Sequence, residues 1–112
     1  MNKDTSIAVI GSINLDIVAR VKNFPEPGET VTNAVVSRFP GGKGANQAVA
    51  AARSGVGDVQ FIACVGDDLF GRKAVEGFEA DGIDVSSVKT DDGSPSGVAL
   101  IFVDDKGENS IA

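Results

Sequence analysis

The sequence predicts a parallel α/β sheet with an extra pair of half-exposed strands projecting from it. Three observations carry this. Apolar runs that read as buried strands alternate with amphipathic helical segments, the pattern of parallel sheets flanked by helices. Two segments of strand-like composition stand between the first strand and the first helix, where a simple βαβ unit has none. The strand-to-helix junction is a cluster of glycines around one lysine, Gly41-Gly42-Lys43-Gly44.

Ser6 to Gly11 is a compact apolar run ending in glycine, and it reads as a strand buried on both faces. Leu15 to Lys22 alternates. Leu15, Ile17, Ala19 and Val21 share one face, and Asp16, Val18, Arg20 and Lys22 the other, as on a half-exposed strand. The stretch from Asn23 to Glu29 holds two prolines and a glycine and reads as a rigid loop. Thr30 to Phe39, rich in Val and Thr, reads as a second half-exposed strand broken by Pro40-Gly41-Gly42. Lys43 to Ser54 has strong helix-forming composition, with Ala45, Ala48, Val49 and Ala52 on one stripe and Gly55 as its stop.

Val59 to Val65 is the next buried strand, and it places Cys64 as a buried, inert thiol. In Gly66-Asp67-Asp68 either aspartate can cap the following helix. That helix presents Phe70, Ala74, Val75 and Phe78, and Gly82 ends it. Val85 to Lys89 reads as a weak strand, Asp91 to Ser96 as a polar turn region, and Gly97 to Val103 as a clear strand. Asp104-Asp105-Lys106-Gly107 is a hairpin turn, and Glu108 begins the return strand. The sequence stops inside that return strand. An unfinished hairpin arm leaves an open edge, so the 112 residues are expected to be part of something longer.

Composition narrows the functions. With 42% hydrophobic and 23% charged residues the chain is of ordinary globular make-up. A net charge of −6 argues against a nucleic-acid surface. One cysteine excludes a disulfide within one chain, and the lack of histidine excludes any histidine-based mechanism. The apolar run from Ile7 to Ile10 is too short for a signal-peptide core or a membrane span. A soluble, cytoplasmic protein without membrane or nucleic-acid partners is expected.

Two segments carry the chemistry. In Phe39 to Ala48, glycines let the backbone approach a ligand, the helix N-terminus offers N–H groups and partial positive charge, and Lys43 adds an ammonium. Asn46 lies three residues on, on the same helical face as Lys43. The segment is not a Walker loop, because Lys43 is followed by Gly44 rather than Ser or Thr. The dinucleotide fingerprint is also absent after the first strand. On spacing alone, a plain tight turn with a solvated lysine accounts for the same residues. In the second segment, Gly11 to Asp16, the chain leaves the carboxyl end of the first strand, where open α/β sheets bind ligands. Asn14 and Asp16 are alternate residues whose amide and carboxylate suit a polyol. Ordinary turn residues would read the same way.

Taken together, Gly11 to Asp16, Pro27-Gly28-Glu29-Thr30, Gly41 to Ala48, and Gly66-Asp67-Asp68 with Gly71 resemble the ribokinases of the PfkB carbohydrate kinase family. The match continues in order through Gly97 to Val103 and Gly107-Glu108-Asn109 and covers essentially the whole chain. One departure is Gly55 to Val59, which reads as one residue longer than usual, away from the proposed site. The resemblance implies a doubly wound α/β domain with a small β-sheet lid, residues 1–112 being its N-terminal portion and residues near 15–39 and 97–112 supplying lid strands. It implies that Asn14, Asp16, Gly42, Lys43 and Asn46 hold ribose hydroxyls and that Gly41 shapes the loop. Ala99 and Ile101, on one face of a lid strand, would wall the sugar. It further implies transfer of the γ-phosphoryl group of Mg-ATP to the ribose 5-hydroxyl, a monovalent cation such as K+, and a homodimer formed through the lid. The family's catalytic base sits in a Gly-x-Gly-Asp segment near the end of the chain, and none follows the lid strands here. These residues alone are therefore expected to be inactive. A kinase for another sugar or a nucleoside, a stand-alone sugar-binding module, and a ligand-free structural domain are the competing readings.

Overall fold

The computed structural model describes residues 5–112. The chain forms two units. One runs up to Asn14 and resumes over Pro40–Gly97; the other comprises Leu15–Phe39 and Val98–Ala112.

The first unit is built on a three-stranded sheet of β1 (Ser6–Ile10), β4 (Asp58–Gly66) and β5 (Val88–Asp91), in the order β1-β4-β5. Both pairings are parallel, from Ser6 opposite Asp58 to Ile10 opposite Ile62, and from Ala63 opposite Val88 to Gly66 opposite Asp91. The helix α1 (Lys43–Ser54) precedes β4 and α2 (Leu69–Ala80) follows it. Both ends of α1 fall where the sequence places them. Gly42 precedes it at φ 102°, and Gly55 closes it in the left-handed conformation at φ 72°, its N–H donating to the Ala52 carbonyl.

Ala45 and Ala48 of α1 and Phe78 of α2 pack with Val9, Val59, Phe61 and Ile83 into one buried cluster. Phe61 is fully buried and meets Phe78 edge to face, with ring centroids 5.2 Å apart. Both helices thus pack against the face formed by Val9, Val59, Phe61 and Ala63. A strand order that advances without doubling back, with crossovers of one hand, puts successive helices on one face. The other face is open among the described residues. Hence β1 is not buried on both faces: Val9 is buried, whereas Ile10 is 76% exposed. Cys64 points to the same open face and is exposed, not buried as its apolar neighbours suggested. The β5 strand begins three residues later than expected, because Asp84 makes an isolated bridge to Gln60 and Val85 turns back to accept from the Val88 N–H.

The second unit contains most of β2 (Asn14–Arg20), β3 (Val35–Gly41) and β6 (Gly97–Val103), with all of β7 (Asn109–Ile111). The sheet order is β3-β2-β6-β7. β6 and β7 are antiparallel, with Ile101 opposite Ile111 and Val103 opposite Asn109. Their turn is held by Asp104, whose Oδ1 accepts from the backbone N–H groups of Lys106 and Glu108 at 2.9 and 3.0 Å. Gly107 takes φ 78° there, which glycine adopts without strain.

Two strand expectations are corrected. Thr30 to Ala34 is not paired, and β3 starts only at Val35, because Asn33 adopts φ 64° and interrupts the extended chain. Pro40 does not end the strand, which runs on to Gly41. Proline has no N–H to give to a ladder, and an edge strand such as β3 accommodates it. On β2 the expected exposed face is partly covered as well, with every residue from Asn14 to Ala19 half-buried.

Candidate functional site

Within the first unit, the loop leaving β1 and the start of α1 are pressed together through glycines. A Cβ on Gly11 would stand 2.6 Å from the Gly44 Cα, and one on Gly44 would stand 2.7 Å from the Gly11 carbonyl carbon. A Cβ on Gly42 would collide with the Ser12 carbonyl oxygen and lie 3.0 Å from the Ile13 Cα. The Ala45 N–H donates to that same Ser12 oxygen at 3.1 Å. The glycines therefore serve a close approach of two backbones.

This contact brings Asn14, Gly41, Gly42, Lys43 and Asn46 into one unit. Gly41 is buried, Gly42 and Asn14 are half-buried, and Lys43 and Asn46 are exposed one turn apart. No side chain caps α1, and its first turn holds no acidic residue. Its positive end is thus not neutralised by its own helix, and Lys43 adds to that charge. Polyol oxygens are suitable partners for such a donor set.

The remaining sequence-predicted residues lie in the second unit. Asp16 is half-buried on β2, two residues beyond Asn14 and on the same strand face. Ala99 and Ile101 alternate on β6 and are half-buried, while Val98, Leu100 and Phe102 on the opposite face are exposed.

A polar network escaped the sequence reading beyond its capping role. Asp68 caps α2 through Oδ1, which accepts from the Gly71 N–H at 2.8 Å. The same carboxylate accepts from the Ser96 N–H at 2.8 Å and the Ser96 hydroxyl at 2.7 Å. The Ser96 Oγ in turn accepts from the Gly66 N–H at 3.0 Å. The Ser96 N–H, then the Gly71 N–H and the Ser96 hydroxyl, hold the Asp68 carboxyl below its ordinary range. The spacing of Asp68 and Gly71 signals the cap; nothing local signals a partner 28 residues away.

The string Gly55-Val56-Gly57-Asp58 matches the Gly-x-Gly-Asp pattern literally, but Asp58 lies at the opposite end of the sheet from the Gly11–Asn14 loop. Asp58 pairs with Ser6 at the amino end of the parallel strands, and its N–H donates to the Thr5 carbonyl at 3.0 Å. Four rungs, roughly 13 Å, separate that end from the carboxyl end where the Gly11–Asn14 loop begins.

Two clefts lie elsewhere. One of about 510 Å³ is lined by residues 22–24 and 29–32 of the second unit, with Glu26. One of about 250 Å³ lies beside Gly66, Asp67, Arg72 and Thr90 of the first. Neither includes a predicted sugar ligand. Among the described residues no three acidic or cysteine side chains are gathered as they would be to hold a metal ion. No helix among them is long and apolar enough to cross a membrane.

Residues 4–112 match the model of the pfkB family carbohydrate kinases, and the chain belongs to that family. More particularly, it is similar to the ribokinase of Schizosaccharomyces pombe, with 46% identity over 111 residues, 95% of this chain and 35% of that one. Its structure is similar to ribokinase from Giardia lamblia, with a TM-score of 0.86 and 38% identity, covering 96% of this chain and 32% of that one. It is also similar to Arabidopsis thaliana ribokinase complexed with ribose and ATP, with a TM-score of 0.85 and 31% identity, covering 95% and 34%. The chain thus spans about a third of the length of these relatives.

Proposed function

We propose that the complete protein containing this chain is a ribokinase, transferring the γ-phosphoryl group of Mg-ATP to the 5-hydroxyl of ribose. The observation that carries the reading is the glycine-mediated contact of the Gly11–Asn14 loop with the start of α1. It joins the two segments that carry Asn14, Gly42, Lys43 and Asn46 at the carboxyl end of β1, in a chain whose relatives include ribokinases. Asn14, Gly42, Lys43 and Asn46 hold ribose hydroxyls, and Asp16 accepts hydrogen bonds from two of them. Gly41 shapes the loop, and Ala99 and Ile101 give the sugar an apolar wall. Phosphoryl transfer depends on positioning and electrostatic stabilisation. The sugar is positioned by these residues; the base, the nucleotide and the cations are held outside them.

The exposed apolar side chains of the second unit, Leu100 and Phe102 among them, support association with a second copy. Sedimentation of the complete protein should give a dimer that Leu100→Glu dissociates; an unchanged dimer would place the contact elsewhere.

A substrate panel tests the activity. With ATP as donor, ribose should be turned over with a higher kcat/KM than deoxyribose, fructose or adenosine, and the product should carry phosphate on the 5-oxygen. Preference for one of the other three would assign a different member of the family.

A further inference from the structure

The Asp68 network reaches the candidate sugar site by a short path inside the first unit. Asp68 holds Ser96 by two hydrogen bonds, of 2.8 and 2.7 Å. The segment before it lies against Gly66, where an added Cβ would stand 2.6 Å from the Pro95 carbonyl carbon and the Ser94 oxygen. The next residue, Gly97, lies against the other side. A Cβ there would stand 3.3 Å from both the Asn14 Cβ and the Ile13 carbonyl oxygen. The backbone at 94–97 is therefore held between the start of α2 and the loop that presents Asn14.

Two features make this more than a helix cap. Capping needs one carboxylate oxygen and one N–H, which Gly71 supplies. Asp68 uses its second oxygen, and shares its first, to fix a residue 28 positions later that belongs to neither flanking helix. Ser96 then uses its hydroxyl twice, donating to Asp68 and accepting from Gly66, so one rotamer satisfies both bonds. Side chains locked in this way pass positional error on to their neighbours rather than absorbing it.

We propose that Asp68, acting through Ser96 and Gly97, is a positioning residue for Asn14. This rests on the reading of Asn14 as a sugar ligand. Loosening Ser96 lets Gly97 withdraw, and Asn14 loses the backbone against which it sits.

The test is steady-state kinetics on the complete protein, with ribose and ATP varied separately. Four variants are compared with the parent: Ser96→Ala, Asp68→Glu, Asn14→Ala and Ser96→Ala with Asn14→Ala. Ser96→Ala keeps the α2 cap and should raise the ribose KM on the order of tenfold while leaving the ATP KM unchanged. In the Asn14→Ala background the same change should matter by less than about twofold, because the residue it positions is gone. A purely structural role would instead give the same effect in both backgrounds, or would move both KM values, and either result overturns the proposal. Should Ser96→Ala fail to fold, Asp68→Glu, which keeps the charge and displaces the carboxylate, is read in its place. If Asn14→Ala leaves the ribose KM unaltered, the sugar-site reading itself fails and the proposal with it. If Asn14→Ala raises the ribose KM and neither Ser96→Ala nor Asp68→Glu does, only the positioning role fails.

Discussion

Gly11 and Gly44 meet backbone to backbone: a Cβ on Gly11 would stand 2.6 Å from the Gly44 Cα. Neither backbone is a flexible side chain that can swing aside. Gly44 lies inside α1, where alanine is favoured over glycine by about 1 kcal/mol. The contact predicts the opposite sign. Gly44→Ala should destabilise the protein by about 1–3 kcal/mol through overpacking, measured by urea unfolding. A stabilised variant would mean that the β1 loop and α1 separate freely.

The core of the first unit turns on Phe61. It is fully buried, and its ring meets Phe78 edge to face. Phe61→Ala should cost about 3–5 kcal/mol in the same assay, from lost burial and the cavity left behind. Phe102→Ala, on an exposed face, should cost much less. Equal costs would show that the cluster of Phe61, Phe78 and the α1 alanines is not the centre of the fold.

Asp68 has a pH signature. Its hydrogen bonds to Ser96 and Gly71 lower its folded-state pKa below the unfolded value. The stability it contributes is therefore fully present above the ordinary carboxylate range. It is lost as pH falls through the lowered folded value, in the window below about pH 4. Asp68→Asn should be less stable than the parent at pH 7, with the difference narrowing as the pH drops through that window. Asp84, lowered by the Ser86 N–H, adds a slope of the same sign, but that slope is common to both proteins and cancels in the comparison. A stability difference that stays constant from pH 7 to pH 3 would contradict the network.

Sequence pattern located the elements that carry their own punctuation. The helix α1 runs from Lys43 to Ser54, as read from the glycines on either side, and β6 runs from Gly97 to Val103 as its apolar run indicated. The features it missed depend on distant partners. Asn33 in the left-handed region delays β3, although the Val- and Thr-rich composition favours a strand throughout. Cys64 sits in an apolar run yet is exposed, because the strand order places both helices on the opposite face. Ser96 looked like an ordinary turn residue, and only the fold brings it to Asp68. For the candidate site, the Gly11–Asn14 and Gly41–Asn46 segments were each recognisable by residue type. That Gly11 touches Gly44 is a property of the packed unit.

The measurement closest to the central claim is ribose binding to the complete protein, by titration calorimetry, with and without Asp16→Ala. Asp16 is half-buried on β2, two residues past Asn14. Under the proposed role its carboxylate bonds sugar hydroxyls, so truncation should cost about 2–5 kcal/mol of ribose affinity, while folding and ATP affinity are retained. Unchanged ribose affinity in Asp16→Ala would contradict the assignment of these residues to the sugar site.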